Sequence, residues 1–428
     1  MRSRAARNGA RGCARICALA EPAAPSEEPQ GWVAPVALAV ASQTAVALLT
    51  RVVPTLAPVL MASLAVGPSF IGYLATLSSF GSILFYLAGM PLIRRAGSIR
   101  TLQIGMAVAS LGTAFLISSS PLVLMIGSVL IGIGYAPSTP AGSDMLQRIA
   151  PKRHRTLIFS IKQAGVPLGG MIAGLVLPPL VAIDWRLSIT VAVVLTLVVA
   201  AVMQMMREGL DRDRDRAQRL SAATIFAAEN LLAPIVALRL SPRIPPIVIA
   251  SFCLAAAQGS TFAFMVTFLV TDVGLELTRA GLMFSIVQLT GILGRILLGG
   301  MADRLGSATT TLTVTAITSS LTTVAFALVT PNWSFGALAA LSAVCGITVS
   351  SWNGLMLAEI AAVVPLARVA QATAGTTLLI FLGYIVGPLG FSFVLEASHS
   401  YAAAFLSLSG LTAVGAIVLL VARRRERR

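Results

Sequence analysis

Charge is scarce in this chain: Asp, Glu, Lys and Arg make up 11% of its 428 residues, where a soluble domain carries about a quarter. So little charge excludes a water-facing surface over most of the molecule. Hydrophobic residues at 57%, with a mean hydropathy of +0.89, take its place. Cysteine is equally spare. Cys13 and Cys17 fall in an Arg-rich start, and Cys253 and Cys345 in separate apolar runs, which argues against a disulfide framework. His154 and His399 are the two histidines, and no Ser/His/Asp set, metal-ligand spacing or phosphate loop occurs. Neither enzyme chemistry nor a metal or other cofactor is expected. The first thirty residues hold Arg2, Arg4, Arg7, Arg11 and Arg15 without an apolar stretch of signal-peptide length, so cleavage is not expected. Residues 1–32 read as a disordered basic tail, with a transit peptide as the other reading.

What the chain has in abundance is long apolar runs, recurring from Val33 to Val421. A bilayer core needs about 20 apolar residues per helix. Cutting the runs at polar, Pro or Gly breaks predicts spans near 36–60, 69–93, 101–119, 121–141, 158–182 and 186–206, then near 246–270, 279–301, 309–330, 333–357, 371–395 and 401–422. The expectation is an all-α membrane protein of twelve transmembrane helices. It divides into a six-helix bundle over 33–206, a linker over 207–243, a second bundle over 244–422 and a basic tail over 423–428.

Orientation follows from the basic residues. Of 31 Lys and Arg, Arg51 and Arg295 fall inside spans, only Arg186 and Arg279 fall in the gaps on one side, and the remaining 27 lie on the other. The positive-inside rule makes that richer side cytoplasmic, with both termini and the linker, in a bacterial inner membrane. The net charge of +15 is then a topology signal matched to an anionic leaflet, not a nucleic-acid surface. Within the linker, the alternating Asp211-Arg-Asp-Arg-Asp-Arg216 run is expected to be solvated and helical, as a plain connector or a partner-binding segment.

The halves repeat. Gly132-Ile133 and Gly346-Ile347 are each followed 19 residues on by a proline, Pro151 and Pro365. An acid sits at similar depth in each, Asp144 and Glu359, and a base follows the proline, Arg155 and Arg368. Repeated halves around a central cavity are how many secondary transporters are built, with the solute at the repeat interface.

At the turn after the eighth span the sequence reads Gly299-Gly-Met-Ala-Asp303-Arg304-Leu-Gly306. This resembles the loop signature G-x-x-x-D-R-x-G of the major facilitator superfamily. The aligned stretch of the first half, Met90-Pro-Leu-Ile-Arg94-Arg95-Ala-Gly97, replaces the first Gly and the Asp. The resemblance covers roughly residues 33–422 and implies that superfamily's fold, two pseudo-symmetric six-helix bundles. It further implies that Arg304 reaches Glu359 and Arg95 reaches Asp144 when the cytoplasmic side closes, so that breaking these contacts biases the conformational equilibrium. A static surface ion pair worth under about 1 kcal/mol is the alternative. Gly165-Val-Pro167-Leu-Gly169-Gly170 in the fifth span and Gly383-x-x-x-Gly387-Pro388 in the eleventh resemble, in part, the antiporter signature of drug–proton exchangers. Small residues four apart also let helices pack closely, and proline bends them.

Two interior arginines carry the functional expectation. Each costs about 2.5–3.5 kcal/mol at a helix centre, and the resemblance places the first and eighth spans against the central cavity. Arg51 and Arg295 thus offer a planar, permanently charged fork to carboxylate or phosphate from opposite halves. The alternative is that each bonds only to helix-end carbonyls. No Asp or Glu is expected at mid-depth, so a cationic solute lacks a counter-charge. Further polar residues interrupt the apolar spans: Gln43, Tyr73, Tyr135, Gln163, Gln258, Gln288, Trp352, Asn353 and Tyr384. They read as cavity contacts or as hydrogen-bonding glue between helices.

The expected function is secondary active transport, by alternating access in a monomer, of a small organic or inorganic anion with proton or counter-anion coupling. A proton-coupled drug efflux antiporter is the rival reading, and a transport-dead sensor on the same fold is another.

Overall fold

A computed structural model describes residues 32–426 apart from 119, 152–153, 213, 216, 218–231, 233–235 and 366–367. The tail expected before Trp32, and most of the 207–243 linker, lie outside the described residues. Among the described residues, twelve helices are long and apolar enough to cross a membrane: α1 Val33–Thr55, α2 Ser69–Ala88, α3 Ser98–Ile117, α4 Pro121–Ile149, α5 Ile158–Val181, α6 Trp185–Leu210, α7 Ile244–Thr271, α8 Leu277–Leu305, α9 Ala308–Ala327, α10 Phe335–Ala362, α11 Gly375–Ser398 and α12 Tyr401–Arg424. A bilayer core offers the backbone no water, and a helix satisfies its own N–H and C=O groups.

The helix starts carry local signals. Pro121 opens α4, where its missing N–H costs nothing. Asp184 accepts from the Arg186 N–H at 2.9 Å, Ser307 from Thr310 at 3.2 Å and Ser334 from Ala337 at 3.2 Å, capping α6, α9 and α10.

Three spans expected to be continuous are interrupted. The first stops at Thr55 and restarts as a short helix, Ala57–Leu64, because Pro58 has no N–H to bond back across Leu56. α4 tightens over Ala136–Ser138 between Pro121–Tyr135 and Pro140–Ile149, where Pro137 and Pro140 withdraw two donors. α10 opens over Ser350–Trp352, and there the Ser351 hydroxyl donates to the Gly346 and Gly291 carbonyls at 2.9 and 3.0 Å. Both helices also run well past their expected ends at 141 and 357.

In the run beginning at Asp211, Arg212 and Asp215 are exposed as expected, but the described residues are not helical and the first of them is corrected. Asp211 is buried, and its carboxylate accepts the N–H groups of Ile99 and Arg100 at 2.9 and 3.0 Å. It caps α3 from a distance because Gly97, with φ +90, turns the chain and leaves room beside it. Unsatisfied N–H groups and the positive helix end favour a carboxylate there over water.

The packing repeats between the halves. α1 pairs with α5 as α7 does with α11, α2 with α4 as α8 with α10, and α3 with α6 as α9 with α12. Each half holds two apolar clusters. In the first half, one cluster lies towards the linker side, around Ile99 and Met145, and one towards the far side, around Leu56 and Leu124. In the second half the corresponding clusters centre on Leu312 and Met356 and on Phe268 and Phe405. The halves meet through α5 against α8 and α2 against α11.

Candidate functional site

The seam is built by the small residues of α5 and α11. A Cβ on Gly165 would sit 3.0 Å from the Gln43 Cβ, and one on Gly169 2.6 Å from the Leu48 nitrogen, so α5 lies flush against α1. On its other face a Cβ on Gly170 would meet Gln288 Cδ at 2.6 Å and one on Gly174 the Gly281 carbonyl at 2.5 Å, both on α8. Pro167 is buried within this helix. α11 does the same on the opposite side. Gly383 and Gly387 press on Phe252 and Ala256 of α7. One turn past Pro388, the Ser392 hydroxyl donates to the Ser69 carbonyl at 3.0 Å on α2. Tyr73 donates to Glu396 at 3.1 Å, Thr76 to the Ile385 carbonyl at 3.2 Å, and Ser285 to the Met171 carbonyl at 3.0 Å. These bonds tie the halves together on the far side.

On this seam stand the two arginines, each reaching into the opposite half. Arg51 on α1 lays its guanidinium 4.7 Å from the ring centre of Phe262 on α7. Arg295 on α8 donates Nη1 to the Gln163 carbonyl on α5 at 3.2 Å. Both lie within electrostatic reach of Tyr135 and Tyr384, so they share one neighbourhood. Neither has a described carboxylate at ion-pair distance, and the Nε of each is buried without a partner. Around them the amides are also unspent: both polar atoms of Gln43, Oε1 of Gln163 and Nε2 of Gln288 are buried and unpartnered. Each such group costs about 1–3 kcal/mol unless water or a ligand completes it.

Gln258 behaves differently. Its Oε1 receives Tyr384 Oη at 2.8 Å, Trp352 Nε1 at 3.1 Å and Asn353 Nδ2 at 3.5 Å. Trp352 has one side-chain N–H and directs it at Gln258. The Phe262 shelf lies one turn along α7 from this hub.

The loop residues occupy the linker side. A cavity of about 880 Å³ in the second half is lined by Arg243, Arg295, Gly299, Asp303, Glu359 and Arg423 among others. Gly306 takes φ +61 at the end of α8. Arg304 forms no ion pair with Glu359, and Arg95 none with Asp144. Asp144 is instead held by Arg148 and by the Ser98 hydroxyl. Arg148 stands one turn along the same helix, so it reaches Asp144 at less ordering cost than an arginine on another corner.

Two groups escaped sequence reasoning. Phe262 carries no mark that separates it from the apolar residues around it, and Lys162 falls with the loop cations, although its place amid an apolar run was the available signal. It is 1% exposed, inside α5.

Comparisons with known proteins agree with one another. The family model described as the Major Facilitator Superfamily matches residues 38–358 and 247–428. An uncharacterised MFS-type transporter of Mycobacterium tuberculosis is 27% identical over 242 residues, which are 56% of this chain and 52% of that protein. A hexuronate transporter of Bacillus subtilis is 26% identical over 148 residues, 34% of this chain and 35% of its own length. The chain thus spans about half or less of the length of the curated relatives it matches. Among solved structures, a bacterial homologue of the lysosomal transporter Spinster, inward-facing and occupied, superposes with a TM-score of 0.71 at 15% identity, covering 93% of this chain and 98% of that one. A variant of a nucleoside transporter gives 0.75 at 16% identity, covering 90% and 99%. At such identities these likenesses speak for the fold alone.

Proposed function

This chain belongs to the major facilitator superfamily, and on that premise we propose that it is a secondary transporter carrying a small organic anion across the bacterial inner membrane by alternating access. It is a multi-pass membrane protein. We place both termini and the linker in the cytoplasm, the bundles at 33–206 and 244–422, and the solute between them in a monomer.

One observation carries the substrate class: Arg51 and Arg295 approach the seam from opposite halves, with no carboxylate among the described residues at ion-pair distance of either. A solute carboxylate supplies the missing charge, and the unspent amides of Gln43, Gln163 and Gln288 suit hydroxyl or carbonyl groups beside it. The backbone bond from Arg295 does not remove it from this role, since Gln163 belongs to the other half and the bond must reform whenever the halves rock. The Bacillus subtilis hexuronate transporter, a carrier of carboxylates by name, favours the same class. The bonds between the halves named above lie mostly towards the far side, which with a cytoplasmic linker corresponds to an inward-open arrangement.

The test is uptake of radiolabelled D-glucuronate into proteoliposomes, preceded by a thermal-shift comparison of carboxylates, phosphates and cationic drugs. Arg51→Gln and Arg295→Gln are each expected to cut uptake at least about tenfold, the loss of one guanidinium–carboxylate contact of about 1.4 kcal/mol. Undiminished uptake in both variants, at wild-type yield and insertion, overturns the anion reading. The glycine–proline stretches of α5 and α11 favour a second reading, proton-driven export of amphiphilic drugs. It predicts ethidium efflux that survives both substitutions.

A further inference from the structure

Arginine can hold an anion but cannot release a proton. If the anion carrier proposed above is driven by protons it needs another group to do so, and no described carboxylate stands within ion-pair reach of the arginines. Lysine is rare in this chain: Lys152 and Lys162 are the only two, the other basic side chains being Arg and two His. Lys162 precedes Gln163, whose carbonyl takes the Arg295 bond across the seam.

The Lys162 ammonium occupies a made niche. It is 1% exposed, and Nζ donates to the Thr139 carbonyl at 3.0 Å and the Ser143 hydroxyl at 3.3 Å, the two flanking the restart of α4 at Pro140. Gly142 leaves the room, since a Cβ there would lie 2.9 Å from Lys162 Cε. Charged and titratable groups on the elements around α5 are Asp144, Arg148 and Tyr135 on α4, Arg51 on α1, Arg279, Arg295, Asp303 and Arg304 on α8, Tyr73 and Tyr86 on α2, and Arg186, Arg207 and Glu208 on α6. Asp144, the acid nearest in sequence to these partners, is engaged by Arg148 and Ser98 and makes no ion pair with Lys162.

We propose that Lys162 is the site that carries the coupling proton, separate from the arginines that hold the solute. The niche satisfies both protonation states. The ammonium donates to Thr139 and Ser143, whereas the neutral amine keeps the Thr139 bond and accepts the Ser143 hydroxyl proton in return. Loading takes one proton from water to the Nζ lone pair, and unloading returns it to water, with no other bond changed. Because Gln163 bonds to the opposite half, rocking of the halves acts on the residue next to Lys162 and so on its access to either side. What the proton is coupled to rests on the anion-carrier reading.

Two lysines make the measurement direct. In full-length Lys152→Arg protein labelled with a heavy nitrogen isotope at lysine Nζ, one lysine ammonium signal remains and is followed by NMR in micelles. The expected result is reversible loss and regain of its proton between ~pH 5 and ~pH 9, with the signal absent in Lys162→Gln. An Nζ that keeps one protonation state throughout overturns the proposal. In proteoliposomes, Lys162→Gln is expected to lose accumulation of D-glucuronate driven by an imposed proton gradient at least about tenfold, while gradient-free exchange persists. Gradient-driven accumulation that survives in Lys162→Gln also overturns it. If wild-type protein exchanges no D-glucuronate, the substrate reading falls, and the NMR titration still decides the role of Lys162.

Discussion

The breaks in α4 and α10 sit at matching places in the two halves, Ala136–Ser138 and Ser350–Trp352, at the same spacing that relates Gly132 to Gly346. Their fillings differ in kind. In the second half the break delivers Trp352 and Asn353 to Gln258, where three donors converge on one neutral oxygen. In the first half a lysine on α5 reaches the Thr139 carbonyl and the Ser143 hydroxyl. One backbone device, inherited twice, thus serves a closed neutral hub in one bundle and a cationic niche in the other. The corners after α2 and α8 diverge in the same way: Ser307 caps α9 from the adjoining turn, while α3 receives its cap from Asp211, more than a hundred residues on.

The contrast can be broken most severely at Gln258. Gln258→Leu strips the acceptor from one buried donor and two half-buried ones, at about 1–3 kcal/mol for the buried one, so the melting temperature of the solubilised protein should fall by several degrees or more. Lys162→Met should cost less, because the Thr139 carbonyl still receives the Ser143 N–H at 3.0 Å and the Ser143 hydroxyl can turn to its own helix. Equal melting of Gln258→Leu and wild type would deny that the hub is structural. A smaller effect is expected at the corners. Asp211→Ala removes the α3 cap at a cost of about 1 kcal/mol and should free the linker start to proteolysis, whereas Ser307→Ala should cost a similar amount and leave the linker as it was. If cleavage rates match in the two variants, Asp211 does not tie the linker to the first half. The smallest change is expected from Asp144→Asn, which breaks a half-exposed ion pair worth at most about 1 kcal/mol. Its effect on melting should shrink further as salt rises.

Much of the fold could be read from the chain because membrane helices announce themselves by length and apolarity, which are local properties. The count of twelve, the two halves and the family signature at Gly299–Gly306 all come from such runs and spacings. Less of the site could be read. Arg51 and Arg295 stood out because charge in an apolar run is costly, but Lys162 was absorbed into the tally of loop cations because it lies only a few residues past Arg155. The Arg95–Asp144 and Arg304–Glu359 contacts, which the resemblance assigns to the state closed on the cytoplasmic side, are not formed here, where Asp144 pairs with Arg148. The linker run looked solvated because alternating charges usually are, and nothing nearby in sequence marked the empty helix end that Asp211 fills.

By itself the amino-acid order determined where the chain enters and leaves the bilayer, since burying an apolar run or exposing a cluster of arginines is decided residue by residue against the solvent. Only the tertiary structure decided which polar groups meet. Arg51 finds Phe262, Arg295 finds Gln163 and Lys162 finds the α4 break because glycines on α5 let helices from both halves close to within contact, and such long-range approaches are fixed by packing rather than by any local pattern.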